Sequence, residues 1–277
     1  MIYEERRGLA SRIWRASDAA RQSEALVPLA TDICRVSEGP GAFEVRILTA
    51  AGCEASASRE RRDGNPFLPY DERLFVAQLS DTHVCLLNKF PVIPGHALVV
   101  TRSFEPQTSA LSPHDYVAAV TCLMAFDGLV FYNAGEVAGA SEPHKHLQVV
   151  PLPLVSDALD APITSWFEQI DLPFRHRRVD LASETWRSEE SAKAIVSAHV
   201  ERMLTAFDLL LPSGETKPYN LLLTRRWLML VPRVAEKYKG ISINGLGFAG
   251  AFLARDEQEL AVLRSQGPMA ALCHVAG

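Results

Sequence analysis

Asn133-Ala-Gly-Glu-Val-Ala-Gly-Ala-Ser-Glu-Pro-His-Lys-His-Leu-Gln-Val-Val-Pro-Leu-Pro153 is the stretch around which this chain is organised. Its centre holds His144, His146 and Gln148, spaced two apart. On a helix, residues i and i+2 point to nearly opposite sides; on a strand they leave from one face. Leu147, Val149 and Val150 are apolar and partly β-branched, and Pro143 and Pro151 bound the run. The spacing predicts a strand that turns His144, His146 and Gln148 toward one site and buries Leu147 and Val149 behind. Two imidazoles and an amide on a core strand are costly unless each polar group is partnered, so the arrangement marks a site. Just upstream, Gly135, Gly139, Ala140 and Ser141 supply small residues whose backbone N–H groups can approach an anion closely. A histidine nucleophile beside such a loop points to phosphoryl or nucleotidyl transfer.

The totals bound this reading. At 277 residues, 48% hydrophobic and 22% charged, the chain suits one large domain or two fused ones. A net charge of −5 argues against coating nucleic acid, although a small anionic substrate needs only a local cluster of donors. Arginines outnumber lysines 22 to 6, and Lys89 and Lys145 fall in stretches of interest. Five scattered cysteines without a Cys-x-x-Cys pair read as reduced thiols. The acidic start lacks an apolar h-region, and no apolar window is long enough to span a bilayer. A soluble, cytoplasmic protein is expected.

Along the chain, residues 5–30 read as helical, with Leu9, Ile13 and Trp14 on one face and a second segment near Ala19 to Ala30. Phe43 to Thr49 alternates as a strand, and the small, polar, Arg-rich residues 50–64 read as a loop. Asn65-Pro-Phe-Leu-Pro-Tyr-Asp71 is an ordered turn whose aromatics either flank a base or plug the core; composition favours the plug. Strands are expected over Leu74–Leu79, His83–Asn88, Ala97–Thr101 and Leu129–Asn133, with a helix opened by Ser112-Pro113. After Pro153 the chain reads as irregular through Arg187, including the basic run Arg175-His-Arg-Arg178, which is most simply a solvated face. A long helix follows Ser188, then strands Tyr219–Thr224 and Trp227–Val231, whose pattern faintly echoes the pair around Asn88 and hints at duplication. Gly245-Leu-Gly-Phe-Ala-Gly250 matches G-x-G-x-x-G, but only 27 residues remain and no acid lies twenty residues on, so dinucleotide binding of the Rossmann kind is rejected. A glycine-rich turn between strands Lys239–Ile243 and Ala251–Ala254 is expected instead. Asp256 and Glu259 open a last helix reaching about Gln266.

The run Gly139-Ala-Ser-Glu-Pro-His-Lys-His-Leu-Gln148 resembles the active-site signature of the diadenosine tetraphosphate phosphorylases, or ATP adenylyltransferases. These belong to the uridylyltransferase-like branch of the histidine-triad superfamily, in which His-x-His-x-Gln replaces three histidines. The resemblance extends to Asn65–Tyr70, Asn88-Lys89, Phe104-Glu-Pro-Gln107, Tyr219–Arg233 and Asn244–Arg255. It implies an α+β fold, a histidine-triad-like antiparallel sheet with packed helices in two related halves, residues 1–170 carrying the nucleophile and 171–277 completing the site. It implies reversible phosphorolysis of diadenosine tetraphosphate by phosphate to ATP and ADP. His146 would be the nucleophile, His144 its orienting neighbour, and Gln148 a contact to the α-phosphate region. Gly139, Ala140, Ser141 and Glu142 would line the phosphates; Asn88, Lys89 and Asn133 would touch nucleotide and phosphate; Asn244, Gly245 and Arg255 would reach in from the second half. Magnesium is expected on the polyphosphate rather than on a protein site, for there is no dedicated carboxylate cage. No nucleic acid or membrane partner is implied, and a monomer or weak dimer is expected.

Three positions depart from the family pattern. Glu142 stands where Gln or Asn is usual, Arg255 stands for lysine, and no lysine lies between Phe43 and Asn65, where Arg59, Arg61 or Arg62 could substitute. The chemistry also follows from the residues themselves. A neutral imidazole carries a lone pair at pH 7 and needs only an acceptor for its other N–H, which a carbonyl of the glycine-rich loop could supply. Two other readings remain: a hydrolase using water as acceptor, and a catalytically silent nucleotide-binding module.

Overall fold

The computed structural model describes residues 8–60, 64–155, 160–167, 169 and 171–276, without the side chains of 58–60. Helix α1 (Leu9–Gln22) opens the fold, followed by strands β1 (Thr31–Glu38) and β2 (Gly41–Leu48), helix α2 (Ala50–Glu60), and strands β3 (Phe75–Gln78), β4 (His83–Leu87) and β5 (Ala97–Thr101). Helix α3 (Pro113–Ala125), strands β6 (Gly128–Asn133) and β7 (His146–Pro151), the short α4 (Thr164–Phe167) and strand β8 (Arg177–Asp180) come next. The remainder is α5 (Glu189–Ala206), β9 (Tyr219–Leu223), β10 (Trp227–Pro232), β11 (Lys237–Tyr238), β12 (Ile241–Ser242), α6 (Gly245–Phe248), β13 (Ala251–Ala254), α7 (Glu257–Gln266) and α8 (Pro268–Ala276).

One antiparallel sheet of eight strands, in the order β3-β4-β5-β7-β6-β9-β10-β8, runs through both halves of the sequence. The β4-β5 and β9-β10 hairpins that echo each other in sequence flank the central pair β7-β6. Because β6 is covered on both faces, Gly128-Leu-Val-Phe-Tyr-Asn133 is buried throughout, and its side chains divide by parity. Val130 and Tyr132 join Leu147 and Val149 in a core under α1, α3 and α5, whereas Leu129 and Phe131 join Val150 on the other side. That other side is covered by a three-stranded sheet, β1-β2-β13, with α7 and α8. His146 and Gln148 share the parity of Val150, so the predicted site opens between the two sheets.

Several expectations are corrected. Residues 50–60 form a helix, not a loop: alanines at 50, 51, 55 and 57 favour it, and Thr49 Oγ1 accepts the Gly52 N–H at its start. The N-terminal helix stops at Gln22; beyond Glu24, at φ 56°, the chain runs extended, with Val27 N and Leu29 N donating to the carbonyls of Lys89 and Pro91. Trp14 lies 45% exposed, off the buried stripe of Leu9 and Ile13. Arg177–Asp180 is an edge strand on β10, where the basic run masked any alternation. The expected strand Lys239–Ile243 is a tight β11–β12 hairpin, turned by Lys239 at φ 48° and Gly240 at φ 91°. The glycine-rich turn contains the one-turn helix α6, N-capped by Asn244. Asp256 caps α7 as expected, but the returning Glu259 carboxylate takes the N–H of Arg255 rather than that of Asp256. Arg61 and Arg62, and the Arg59 side chain, lie outside the described residues.

Two buried polar clusters brace the sheet. Arg233, 4% exposed, donates to the carbonyls of Ala138, Ala235, Ile243 and Val275 and to Asn220 Oδ1, tying the glycine-rich loop to the β12–α6 connection. Behind the motif strand, Lys145 Nζ meets Asp115 Oδ2 at 2.7 Å and Glu105 Oε2 at 3.0 Å, while His83 Nε2 meets Asp115 Oδ1 at 2.9 Å. Burial alone would raise the Asp115 carboxyl; the His83 hydrogen bond, the Lys145 charge and hydrogen bond, and the Ser112 N–H outweigh it and lower the carboxyl to about 2.

Arg233→Met should lower unfolding free energy by about 3 kcal/mol, because several buried carbonyls lose their donor; denaturant titration measures it. Asp115, held below its ordinary 3.8, contributes stability that is present above about pH 4 and is lost as the pH falls through its folded value, about 2 kcal/mol in all. The denaturation midpoint of the wild type should therefore fall more steeply between pH 5 and pH 2 than that of Asp115→Asn. Equal slopes would refute the assignment.

Candidate functional site

His144 ends the approach to β7 and is fully buried. Its Nε2 lies 2.9 Å from both the carbonyl oxygen and Oγ1 of Thr101, and Nδ1 lies 2.9 Å from Asn65 Nδ2. An amide nitrogen only donates, so Nδ1 is the acceptor and the proton sits on Nε2, directed at the Thr101 carbonyl. The rings of Phe67 and Phe104 pack edge-on to it, at centroid distances of 5.5 Å each. Burial lowers its pKa against the opposing pull of the Thr101 and Ser103 backbone and of Glu105, which keeps the ring neutral at pH 7. His144 thus serves as a fixed support outside the cleft.

The fixed ring holds its own carbonyl in place, and His146 Nδ1 reaches that carbonyl at 2.8 Å. The acceptor expected from the glycine-rich loop is therefore supplied by the motif itself. With the proton on Nδ1, the lone pair belongs to Nε2, and His146 is one of the residues that line the cleft. The backbone is held as firmly: His146 N donates to Gln107 Oε1 at 2.8 Å, and Gln107 Nε2 donates to the carbonyls of His146 and Asn133.

Gln148 is oriented by a chain of bonds whose polarity is set at its far end. Phe90 N–H donates to Asn88 Oδ1 at 3.1 Å, so Asn88 Nδ2 must face His96 Nδ1, at 3.2 Å. His96 Nε2–H then donates to Gln148 Oε1 at 2.9 Å, which turns the Gln148 amide nitrogen the other way as a donor.

Between the sheets lies a cleft of ≈ 620 Å³, large enough for a nucleotide. From the N-terminal half its wall takes Asn88, Lys89, Gly139, Ser141, Glu142, His146 and Gln148; from the C-terminal half it takes Asn244 and Arg255. Four of the expected residues lie off that wall. His144 and Ala140 stand behind it, and Asn133 and Gly245 form a buried brace in which Asn133 Oδ1 accepts from Asn220 Nδ2 and from Gly245 N at 2.8 and 2.9 Å. Gly139, at φ 87°, allows the loop to touch the second half; a Cβ there would sit 2.7 Å from the Ile243 carbonyl oxygen. The Arg255 guanidinium is held by Glu259, with Nε and Nη2 at 2.7 and 2.6 Å from Oε1. In the Asn65–Asp71 turn, Phe67 plugs Val84, Leu86, Leu98 and Val100, as the favoured reading expected, while Asn65, Pro66, Pro69 and Tyr70 line the cleft.

Three residues without a sequence-derived role enter the site. Gln107 and His96 carry no local signal, because their partners lie 39 and 52 residues away. Arg46 does carry one: on the alternating strand it occupies the polar face opposite Phe43, Val45 and Ile47, and that face turns out to line the cleft. It is a cation within the interval where a lysine was expected, and it is paired at 2.7 Å with Glu44.

Comparison with known proteins agrees with this geometry. Residues 2–169 match the model of the Ap4A phosphorylase N-terminal domain, and residues 170–277 match that of the ATP adenylyltransferase C-terminal domain. Diadenosine 5',5'''-P1,P4-tetraphosphate phosphorylase 2 of Saccharomyces cerevisiae is 31% identical over 239 residues, covering 75% of this chain and 74% of the yeast one. Crystal structures of yeast Ap4A phosphorylase in complex with Ap4A and with AMP each superpose with a TM-score of 0.77 at 26% identity, covering 97% of both chains. The His-Lys-His-Leu-Gln strand, the bipartite cleft and these matches together place the chain in the Ap4A phosphorylase (ATP adenylyltransferase) family.

Proposed function

We propose that this protein catalyses the reversible phosphorolysis of diadenosine tetraphosphate to ATP and ADP through an adenylyl-histidine. The observation that carries the reading is the 2.8 Å contact between His146 Nδ1 and the His144 carbonyl, which fixes the tautomer a nucleophile needs. In the first step His146 Nε2 attacks the α-phosphorus of one adenylate, the bond to the bridging oxygen breaks, and ATP leaves. In the second step an oxygen of inorganic phosphate attacks the same phosphorus, the P–N bond breaks, and ADP leaves with His146 neutral again. The Gln148 amide stabilises the developing charge on the α-phosphate oxygens, and Lys89, Arg46 and Arg255 supply positive charge along the polyphosphate. Arg255 is restrained by Glu259, so its planar fork presents a fixed donor direction. Magnesium enters with the polyphosphate as part of the substrate. The cleft draws on both halves of a single chain, so a monomer suffices to form it; action as a monomer or weak dimer in the cytoplasm is part of this proposal.

Phosphate, rather than water, is the favoured acceptor because the chain belongs to the Ap4A phosphorylase family. Incubation with diadenosine tetraphosphate should give ADP plus ATP only when phosphate is added. A hydrolase would give AMP plus ATP with or without it, and a silent binding module would give neither. Two in-line displacements restore configuration, so chirally labelled substrate should show retention at the α-phosphorus; net inversion would rule out the covalent route. His146→Ala should abolish turnover while AMP still binds. Gln148→Ala should lower kcat by about 10²-fold, the typical loss for one oxyanion donor, with a smaller effect on AMP affinity.

A further inference from the structure

Lys145 stands between the two site histidines, yet its side chain leaves the opposite face of the strand and is 1% exposed. A buried ammonium is costly unless paired and hydrogen-bonded. Its three donors are met by Asp115 Oδ2 at 2.7 Å, Glu105 Oε2 at 3.0 Å and the Ala110 carbonyl at 3.1 Å. Asp115 is itself immobile, fully buried at the first turn of α3, where it takes the Ser112 N–H at 2.6 Å and His83 Nε2 at 2.9 Å. The main chain of Lys145 is gripped as well, since its N–H donates to the Glu105 carbonyl at 2.8 Å. That N–H belongs to the same peptide plane as the His144 carbonyl, the acceptor for His146 Nδ1. Rotation of this one plane would swing the carbonyl away from the imidazole and release its tautomer.

We propose that Lys145 is a positioning residue: anchored on Asp115 and Glu105, it locks the His144–Lys145 peptide plane and thereby holds the proton of His146 on Nδ1. The inference rests on the reading of His146 as the adenylyl acceptor. It gives a chemical role to the residue between the two histidines, whose charge never touches the cleft. A cross-link that only stabilises the 102–112 connection would affect stability without touching the tautomer.

The test uses the full chain as the double variant D115N/K145M, in which both charges are removed at nearly constant volume and neither is left buried alone. Nitrogen-15 spectra of the labelled imidazoles, with His146 assigned by its loss in His146→Ala, should show one Nδ1–H tautomer in the wild type and a mixture of both in the variant. Phosphorolysis kcat should fall by about 10²-fold, the usual scale for a small misplacement of a reacting group, while the AMP dissociation constant stays within about twofold. Lys145→Arg, which keeps the charge, should retain the single tautomer and most of kcat. If the double variant does not fold, Glu105→Gln, altered at a half-exposed side chain, takes its place with the same readouts and an expected loss of about threefold. An unchanged tautomer, an unchanged kcat, or a parallel loss of kcat and AMP affinity would each overturn the proposal. Because the tautomer is read on unliganded protein, a wild type with the Nδ1–H form but no adenylyl-histidine would refute the reaction and leave the positioning intact.

Discussion

The hydrogen bond from His146 Nδ1 to the carbonyl two residues earlier imposes a condition on the whole sheet. That carbonyl must not belong to a strand ladder, or it would already be committed to a neighbour. The condition is met because regular pairing of β7 begins only at His146 with β5 and at Gln148 with β6. Before it the chain follows the 102–112 connection, through the Pro106–His144 bridge and the bond from Gln107 N to the Pro143 carbonyl. Pro143 lacks an N–H and so cannot extend the ladder backwards. The start of the strand is thus placed to leave one acceptor for His146 Nδ1, and Gln107 secures the junction from the side.

The alternation of a strand lets the motif carry two incompatible environments within a few ångströms. His146 and Gln148 face the cleft, while Leu147 faces the apolar core and Lys145 its pairing with Asp115 and Glu105. Placing the lysine in the cleft would add charge next to an imidazole that must stay neutral to act. Sending it backward, against Asp115 and Glu105, separates that charge from the reacting nitrogen. The cations proposed to serve the polyphosphate, Arg46, Lys89 and Arg255, come from other elements, each on the cleft wall. A protein of net charge −5 can therefore take a polyanion, because the field that matters is local.

The central strands were legible in the sequence because burial on both faces or strict alternation leaves a strong pattern: β4, β5, β6, β9 and β10 lie within a residue or two of their expected bounds. The helix at 50–60 was not, because alanine and glycine read as loop composition although alanine favours helix. β8 was hidden because an edge strand needs no apolar alternation on its solvent side. In the site, the two-residue spacing put His146 and Gln148 on one strand face, and that face lines the cleft. It could not reveal that Asn133 and Gly245 bond to each other rather than to the cleft, since that pairing joins positions 112 apart. Nor could it find His96, whose role depends on a polarity handed along from a backbone amide at Phe90.

The brace at Asn133 explains why the two halves form one site. The N-terminal half supplies His146, the proposed nucleophile, but leaves the floor of its glycine-rich loop to the other half. The C-terminal half inserts Asn220, Arg233 and the start of α6 beneath that loop, bonding the Ala138 carbonyl twice and Asn133 Oδ1 twice. Most of these partners are backbone carbonyls and amides, and Arg233 makes its contacts without a carboxylate within the brace. Burial lowers the pKa of that guanidinium to about 10, still far above neutrality, so it remains charged and donates in every direction. An acid placed there would satisfy it more strongly but would put a negative charge beneath the glycine-rich loop, whose Gly135, Gly139 and Ala140 amides, expected to face an anion, are instead committed to the carbonyls of Asn133, Glu136 and Gly135. A cation held by carbonyls adds rigidity beneath the loop, and the second half thereby shapes the cleft from below while only Asn244 and Arg255, among its expected residues, reach the cleft wall.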